Sequence, residues 1–333
     1  MTCSLPSPRP RRLAHRHGRR PVPLLLLALS ACSGDCGKAT PQRAPAKPAL
    51  SETNASAGRI PPLTVFDDFA TGELDPARWI PKDSLRGFAD PLLAPQLATI
   101  DRRVEAGRLR MQSSLTGETS PGRGSAVAHF RATFAEPQRI TALEATLHVH
   151  DVATPQCAGE PTFTFARATI GGLFFNSGEA RGRRLVGDIL AVVGVGRTSD
   201  TNDPPDQLRT LAVVLSCRRP CYAFPEHLPA ERPRSEVIGM KELGPIRRGE
   251  STRLGLRWDR AADRFVFWRD GRVGAEVPYA YPDDAAPTIE RRHLDVAHFV
   301  PRCEGGPPVV SKLDVSFDDV KVHRAASGAA PSR

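Results

Sequence analysis

The stretch Arg264-Phe-Val-Phe-Trp-Arg-Asp-Gly-Arg-Val273 reads as a strand, a two-residue turn and the start of a second strand. Asp270-Gly271 carries the turn, because a tight hairpin needs positive φ at both central positions and Asp-Gly tolerates it. Leu254-Gly-Leu-Arg-Trp258 precedes this hairpin and is joined to it by the polar turn Asp259 to Asp263, which predicts a three-strand meander. Outward from there the same period of two recurs. Arg108-Leu-Arg-Met-Gln112 alternates polar and apolar residues, and Leu143 to Val149 does so less strictly. Ile189 to Val195 and Leu211 to Leu215 are short, continuous apolar runs, as in strands buried on both faces. With 32 prolines, 27 glycines, no internal repeat and no helical periodicity beyond two turns, the chain reads as all-β, a two-sheet antiparallel sandwich.

The N-terminus is different. Six arginines (Arg9, Arg11, Arg12, Arg16, Arg19 and Arg20) stand before an apolar run from Pro21 to Ala31 that ends in Leu29-Ser30-Ala31-Cys32. A basic head, a short apolar core and small residues at the cut site make a secretory signal peptide. The run is about half of the ~20 residues a membrane span needs. Leu-Ser-Ala-Cys resembles the bacterial lipobox, which implies cleavage before Cys32 and lipid attachment to it. The expectation is a lipid-anchored protein of the bacterial cell envelope, outside the cytoplasm, with the outer membrane or cell surface favoured over the inner membrane.

The signal also explains the charge. The precursor carries +9, but its first 31 residues hold six cations and no acid, and residues 60–333 are left at +1. Nucleic-acid surfaces need clustered Lys and Arg, so no nucleic-acid partner is expected. Residues 32–62, rich in Ala, Pro, Lys and Ser, bury too little to fold and read as a tether, as does the tail 325–333. One domain is expected over 63–324.

Seven cysteines include Cys3 in the signal, Cys32 at the lipid site and Cys36 in the tether. Cys157, Cys217, Cys221 and Cys303 remain, and in an oxidising compartment an even set reads as two disulfides. Three connectivities are open. Cys217–Cys221 with Cys157–Cys303 is favoured, since the Arg-Arg-Pro spacer suits a tight loop. A zinc site from Cys217, Cys221 and His227 is the alternative, without the second ligand pair such sites usually show.

Phe66-Asp-Asp-Phe-Ala-Thr-Gly-Glu-Leu-Asp-Pro-Ala-Arg-Trp79 and Val315-Ser-Phe-Asp-Asp-Val-Lys-Val322 resemble the opening and closing strands of concanavalin A-like lectin/glucanase jelly rolls, in the laminarinase and lichenase branch. The meander around Trp258 and Trp268 is similar to their late strands. The resemblance implies a jelly roll. It also implies a retaining glycosidase motif, Gly-Glu-x-Asp-x-x-Glu, whose two catalytic carboxyls sit about 5–5.5 Å apart. The matching strand here is Gly187-Asp-Ile-Leu-Ala-Val-Val193, with Asp188 in the nucleophile's place, Leu190 in the helper's and Val193 in the acid/base's. Leu and Val transfer no proton, and no Glu-x-Asp-x-x-Glu occurs in the chain. Arg234-Ser-Glu-Val-Ile238 comes near an alginate-lyase motif but lacks its final Arg. His148 and His150 alternate on one strand without a third metal ligand in view. The resemblance further implies a structural calcium held by Asp68, Gly107 and Asp318.

The first reading of function is therefore a membrane-tethered, non-catalytic module that binds a glycan or another ligand, with Asp188, Tyr279 and Tyr281 as candidate contacts. Trp79, Trp258 and Trp268 fall in motifs that serve a core, which leaves few aromatics for sugar stacking. The alternatives are a structural or protein-interaction module of the envelope and, third, a glycan-cleaving enzyme with atypical residues.

Overall fold

The computed structural model describes residues 59–80, 89–90, 97–118, 125–160, 162–178, 186–217, 236–289 and 291–325. Among them run fifteen strands in two antiparallel sheets. The first sheet has the order β13 (Arg272–Pro278), β12 (Arg264–Arg269), β11 (Ser251–Asp259), β6 (Ile140–Ala153), β15 (Val310–Arg324), β4 (Arg108–Thr116) and β3 (Ala98–Glu105). A short β1 (Thr64–Asp67) pairs with the far end of β15. The second sheet runs β10 (Glu236–Arg247), β9 (Gln207–Ser216), β8 (Asp188–Thr198), β7 (Phe165–Asn176), β14 (Arg291–Val300), β5 (Ala126–Thr133) and β2 (Ala89–Asp90). This is the jelly-roll sandwich that the sequence leads one to expect.

The local reasons match the sequence. Asp270 and Gly271 take φ of 49° and 77°, closing the β12–β13 hairpin of the expected meander. On β4 the alternation sends Leu109, Met111 and Leu115 into the core. The apolar run of β8 is buried on both faces. Ile189, Ala191, Val193 and Val195 join the inter-sheet core, while Leu190 and Val192 pack with Leu173 and Leu215 on the opposite face.

The opening motif is structural. Asp67 is buried, accepts the Trp79 indole N–H at 2.5 Å and accepts the Phe69 N–H at 2.8 Å, where φ is 55°. Phe66, Phe69 and Phe134 surround the Trp79 ring. Trp268 is also fully buried. Its ring lies across Gly255, where a Cβ would fall 2.1 Å from it, and its N–H donates to Glu144 at 2.6 Å.

Two ties cross the sandwich. His298 of β14 sits between the sheets, bonded to Ser311 through Nδ1 and to Ser113 through Nε2, each at 2.8 Å. Its burial pushes the imidazole down to about 3, so it is a neutral core residue. Cys157 and Cys303 form a disulfide across 146 residues of sequence. Cys217 is disulfide-bonded as well; Cys221 and His227 lie outside the described residues, as does Cys32.

Candidate functional site

The register of the second sheet sets side chains in rows across the face turned away from the first. In one row stand His129 of β5, Ala297 of β14, Arg167 of β7, Gly196 of β8 and Arg209 of β9. The next holds Arg131, Asp295, Thr169, Gly194 and Leu211, and the one after it Thr133, His293, Gly171, Val192 and Val213. Cross-strand partners share a face, so this grid places residues far apart in sequence side by side.

One half of the grid is a cleft of about 650 Å³ over β7 to β10. Its floor is aliphatic, with Val192, Leu211, Val213 and Leu215, and its rim carries Val237 and Met240 from the edge strand β10. One end is polar. Arg209 grips Asp203 through Nε and Nη2 at 2.6 and 3.1 Å and reaches Glu242 at 3.5 Å. That grip, with help from Thr201, holds the Asp203 carboxyl down at about 2. Arg197 donates to the carbonyls of Asp203, Pro204 and Gln207. Phe165 stacks on Phe299 with centroids 5.7 Å apart, and the Arg167 guanidinium stands 5.5 Å from the Phe165 ring.

The other half is a buried polar cluster. His129 Nδ1 lies 2.9 Å from Asp295 Oδ2, and Arg131 Nε lies 3.5 Å from Asp295 Oδ1. His129 is 5% exposed and Asp295 2%. A carboxylate only accepts, so His129 Nδ1 carries the proton and Nε2 is left as an acceptor. Burial is the main force keeping His129 neutral, with Arg131 and Arg167 adding to it against the pull of Asp295. Asp295 is held ionised: burial opposes this, and the hydrogen bond from His129 Nδ1–H and the Arg131 guanidinium act the other way. His293, two residues before Asp295, is buried with its Nδ1 bonded to nothing, and burial pushes its pKa well down.

No protein-family model matches the chain, and no curated protein matches it in sequence. Among solved structures it is similar to an endo-β-galactosidase from Clostridium perfringens that releases GlcNAcα1-4Gal, with 12% identity over 77% of this chain, a TM-score of 0.38 and only 61% of that chain's length spanned. It is similar to a non-specific endo-β-1,3(4)-glucanase of family GH16, at 12% identity over 80% of this chain and 94% of that one, with a TM-score of 0.42. A carbohydrate-binding module from Bacillus subtilis gives 12% identity over 73% of this chain and all of the other, with a TM-score of 0.31. Likenesses this distant say nothing about activity; the fold rests on the strand order above.

The residues expected from the sequence fall elsewhere. Asp188 is fully buried, and both its oxygens are engaged. Oδ1 accepts from Asn176 Nδ2 and the Thr288 N–H, and Oδ2 accepts the Thr288 hydroxyl. It ties the fold together and is not presented to a ligand. Leu190 lies among the outer-face aliphatics and Val193 in the inter-sheet core. Tyr279 is corrected likewise: it is 6% exposed, packs on Phe175 and Phe265, accepts the Trp258 N–H and donates to Asp283. Tyr281 is half-buried against the same core. Neither ring lines the cleft.

His148 and His150 sit on the first sheet's outer face, bonded to Ser251 and Ser316. Arg234 is outside the described residues, and Glu236 begins the edge strand β10. Asp68, Gly107 and Asp318 do meet at one corner. A Cβ on Gly107 would lie 3.8 Å from the Asp68 carbonyl oxygen, and Arg108 Nε stands 3.4 Å from Asp318 Oδ2. Calcium takes six to eight oxygens. The corner offers two carboxylates, one of them beside a guanidinium, together with main-chain carbonyls, and no group of three His, Cys, Asp or Glu side chains able to hold a metal occurs among the described residues.

His129, Asp295 and Arg167 escaped the sequence reading. Their signal was the alternation of polar residues, His129-x-Arg131-x-Thr133 and Arg291-x-His293-x-Asp295, inside strands otherwise built for a core.

Proposed function

We propose that this chain is a glycan-binding sandwich, held outside the cytoplasm at a bacterial membrane by a lipid on Cys32, and that the cleft over β7 to β10 is its binding surface. The observation that carries the reading is the pairing of an aliphatic floor (Val192, Leu211, Val213) with a polar end built from Arg209, Asp203 and Glu242. A sugar ring offers C–H faces and hydroxyl edges together, and this arrangement answers both. Without Trp or Tyr on the floor, stacking is weak, so affinity must be gathered over several sugar units along the groove.

The test is a glycan array probed with the full chain in detergent. Binding should be retained by the wild type and fall at least tenfold in Val213→Glu, which puts a charge on the floor while leaving the melting temperature within a few degrees. Failure to retain any glycan overturns the reading. Metabolic labelling with a radioactive fatty acid, lost in Cys32→Ala, tests the anchor. A second reading, a protein-interaction module, is favoured by the exposure of Val237 (46%) and Met240 (59%) on an edge strand. It predicts capture of a protein partner that Met240→Asp abolishes.

A further inference from the structure

The geometry points to a self-pairing surface: the free edge of β10 is built to join β10 of a second copy of this chain around a two-fold axis. β10 closes one side of the second sheet, with β9 as its ladder neighbour. Which of its backbone groups stay outside that ladder follows from β9. The Cys217 N–H donates to the Asp188 carbonyl and the Cys217 carbonyl accepts the Gly187 N–H. Cys217 packs on the outer face, so residues of β9 on that face turn their backbone toward β8. Along a strand, side-chain face and backbone direction alternate together. The inward residues Ala212, Val214 and Ser216 therefore bond to β10, where their partners are Lys241, Gly239 and Glu236. Val237 and Met240 stand on the outer face opposite Leu215 and Val213, and send their N–H and C=O to the free edge. Their odd spacing allows this because a bulge sets Ile238 between Val237 and Gly239.

A bulge blunts an edge against an ordinary strand. Against its own copy it fits. Two-fold pairing must set outer residues opposite outer ones, and the register centred on the bulge does so for the whole run from Glu236 to Lys241. Val237 lies opposite Met240 of the second copy, Ile238 opposite its Gly239 and Glu236 opposite its Lys241. Val237 and Met240 then form a hydrogen-bonded pair, each donating to and accepting from the other. The bulky Ile238 meets a glycine, and the charges across the inner side are opposite in sign. Centred on Lys241 instead, the pairing would set that ammonium against itself. Val237 and Met240, 46% and 59% exposed, are the residues this contact shields. Beyond Glu242 the edge is shut: Arg269 takes the carbonyls of Leu243 and Pro245, and a proline has no N–H.

Pairing also joins two clefts, since Val237 and Met240 are the rim of each. The row Val192, Val213, Met240 of one copy runs on into Val237, Leu215 and Leu190 of the other, one aliphatic band across the two-fold. For this consequence alone the inference rests on the glycan reading. The joined groove supplies the length that a floor without Trp or Tyr needs.

The experiment is sedimentation equilibrium of the full chain in a density-matched detergent, with micelles in excess over protein. The wild type should reach twice the mass of one chain as concentration rises, since so short a ladder makes a small interface. Met240→Pro removes an N–H from the free edge alone, where proline is tolerated. It should halve the mass while the melting temperature stays within a few degrees. Lys241→Glu should also give single chains, and Glu236→Lys combined with Lys241→Glu should restore the pair. A wild type that stays single at its highest soluble concentration overturns the inference. So does a dimer that survives both Met240→Pro and Lys241→Glu, or a folded double variant that stays single. The glycan array separates the two readings. Pairing without glycan binding leaves this surface standing and removes the glycan reading, and glycan binding by a chain that never pairs does the reverse.

Discussion

Asp188 holds Thr288 twice, accepting its backbone N–H at 2.8 Å and its hydroxyl at 2.6 Å, 100 residues away in sequence. The position that the sequence resemblance sets in a nucleophile's place is thus a clamp between the start of β8 and the segment leading into β14. Asp188→Ala would remove the acceptor of the Thr288 N–H and hydroxyl and one of the two acceptors of the buried Asn176 amide, which keeps the Val186 carbonyl. Thr288 is exposed and can turn to water, so the loss falls on the buried Asn176 amide and costs about 1–3 kcal/mol; thermal unfolding should occur a few degrees lower, roughly 2–4 °C per kcal/mol. An unchanged melting temperature would mean that this clamp contributes nothing.

Acid should loosen the fold through its buried histidines. His298 is held down to about 3 and His129 and His293 are also lowered, all chiefly by burial. The unfolded chain binds their protons near pH 6.5 while the folded chain refuses them. Their contribution is full above about pH 6.5 and is lost progressively as pH falls toward the folded values. Urea unfolding at pH 7.5 and pH 5 should show a loss on the order of 2 kcal/mol from His298 over that interval, with His293 and His129 adding in the same direction. His298→Gln should flatten the slope at some cost in stability at pH 7.5.

The Cys157–Cys303 bridge closes a long loop. Chain entropy assigns such a cross-link about 5 kcal/mol as a ceiling. The double variant Cys157→Ser, Cys303→Ser should unfold at clearly lower urea concentration, with the Cys217 disulfide unaffected. Equal midpoints would show that the loops it joins are held without it.

At the corner of Asp68, Gly107 and Asp318, calcium has to displace Arg108 from Asp318. Millimolar calcium should therefore leave the melting temperature unchanged. A rise equivalent to about 3 kcal/mol, as expected when a ligand exceeds its dissociation constant a hundredfold, would show that the corner does close around the ion. Arg108→Ala should make such binding easier.

What the sequence revealed follows from how local each signal is. The β12–β13 hairpin is legible because Asp270-Gly271 fixes its geometry within four residues. The two end motifs are legible because aromatic and acidic residues recur there in a dense pattern. The candidate site is not, because His129, Arg167 and Asp295 come from three strands and are neighbours only through register. Tyr279 misled for a related reason. Its place after a strand suggests exposure, and nothing in the nearby sequence shows that Trp258 and Asp283 converge on its hydroxyl. Asp188 looked like a group awaiting a substrate because its partner Thr288 is so distant.

The pairing of β1 with the end of β15 has a mechanical side. Thr64 faces Val322 and Asp67 faces Val320, so a pull on the chain ahead of Thr64 meets the ladder end-on. Hydrogen bonds loaded this way open one after another, like a zipper, instead of sharing the force. Under drag the exposed start of β1, Thr64 and Val65, should peel away at low load, as far as Phe66, whose buried ring against Trp79 stops the tear. On the proposed lipid anchor, that short strand would work as a shock absorber, giving way at its end while the sheet that carries the cleft stays folded.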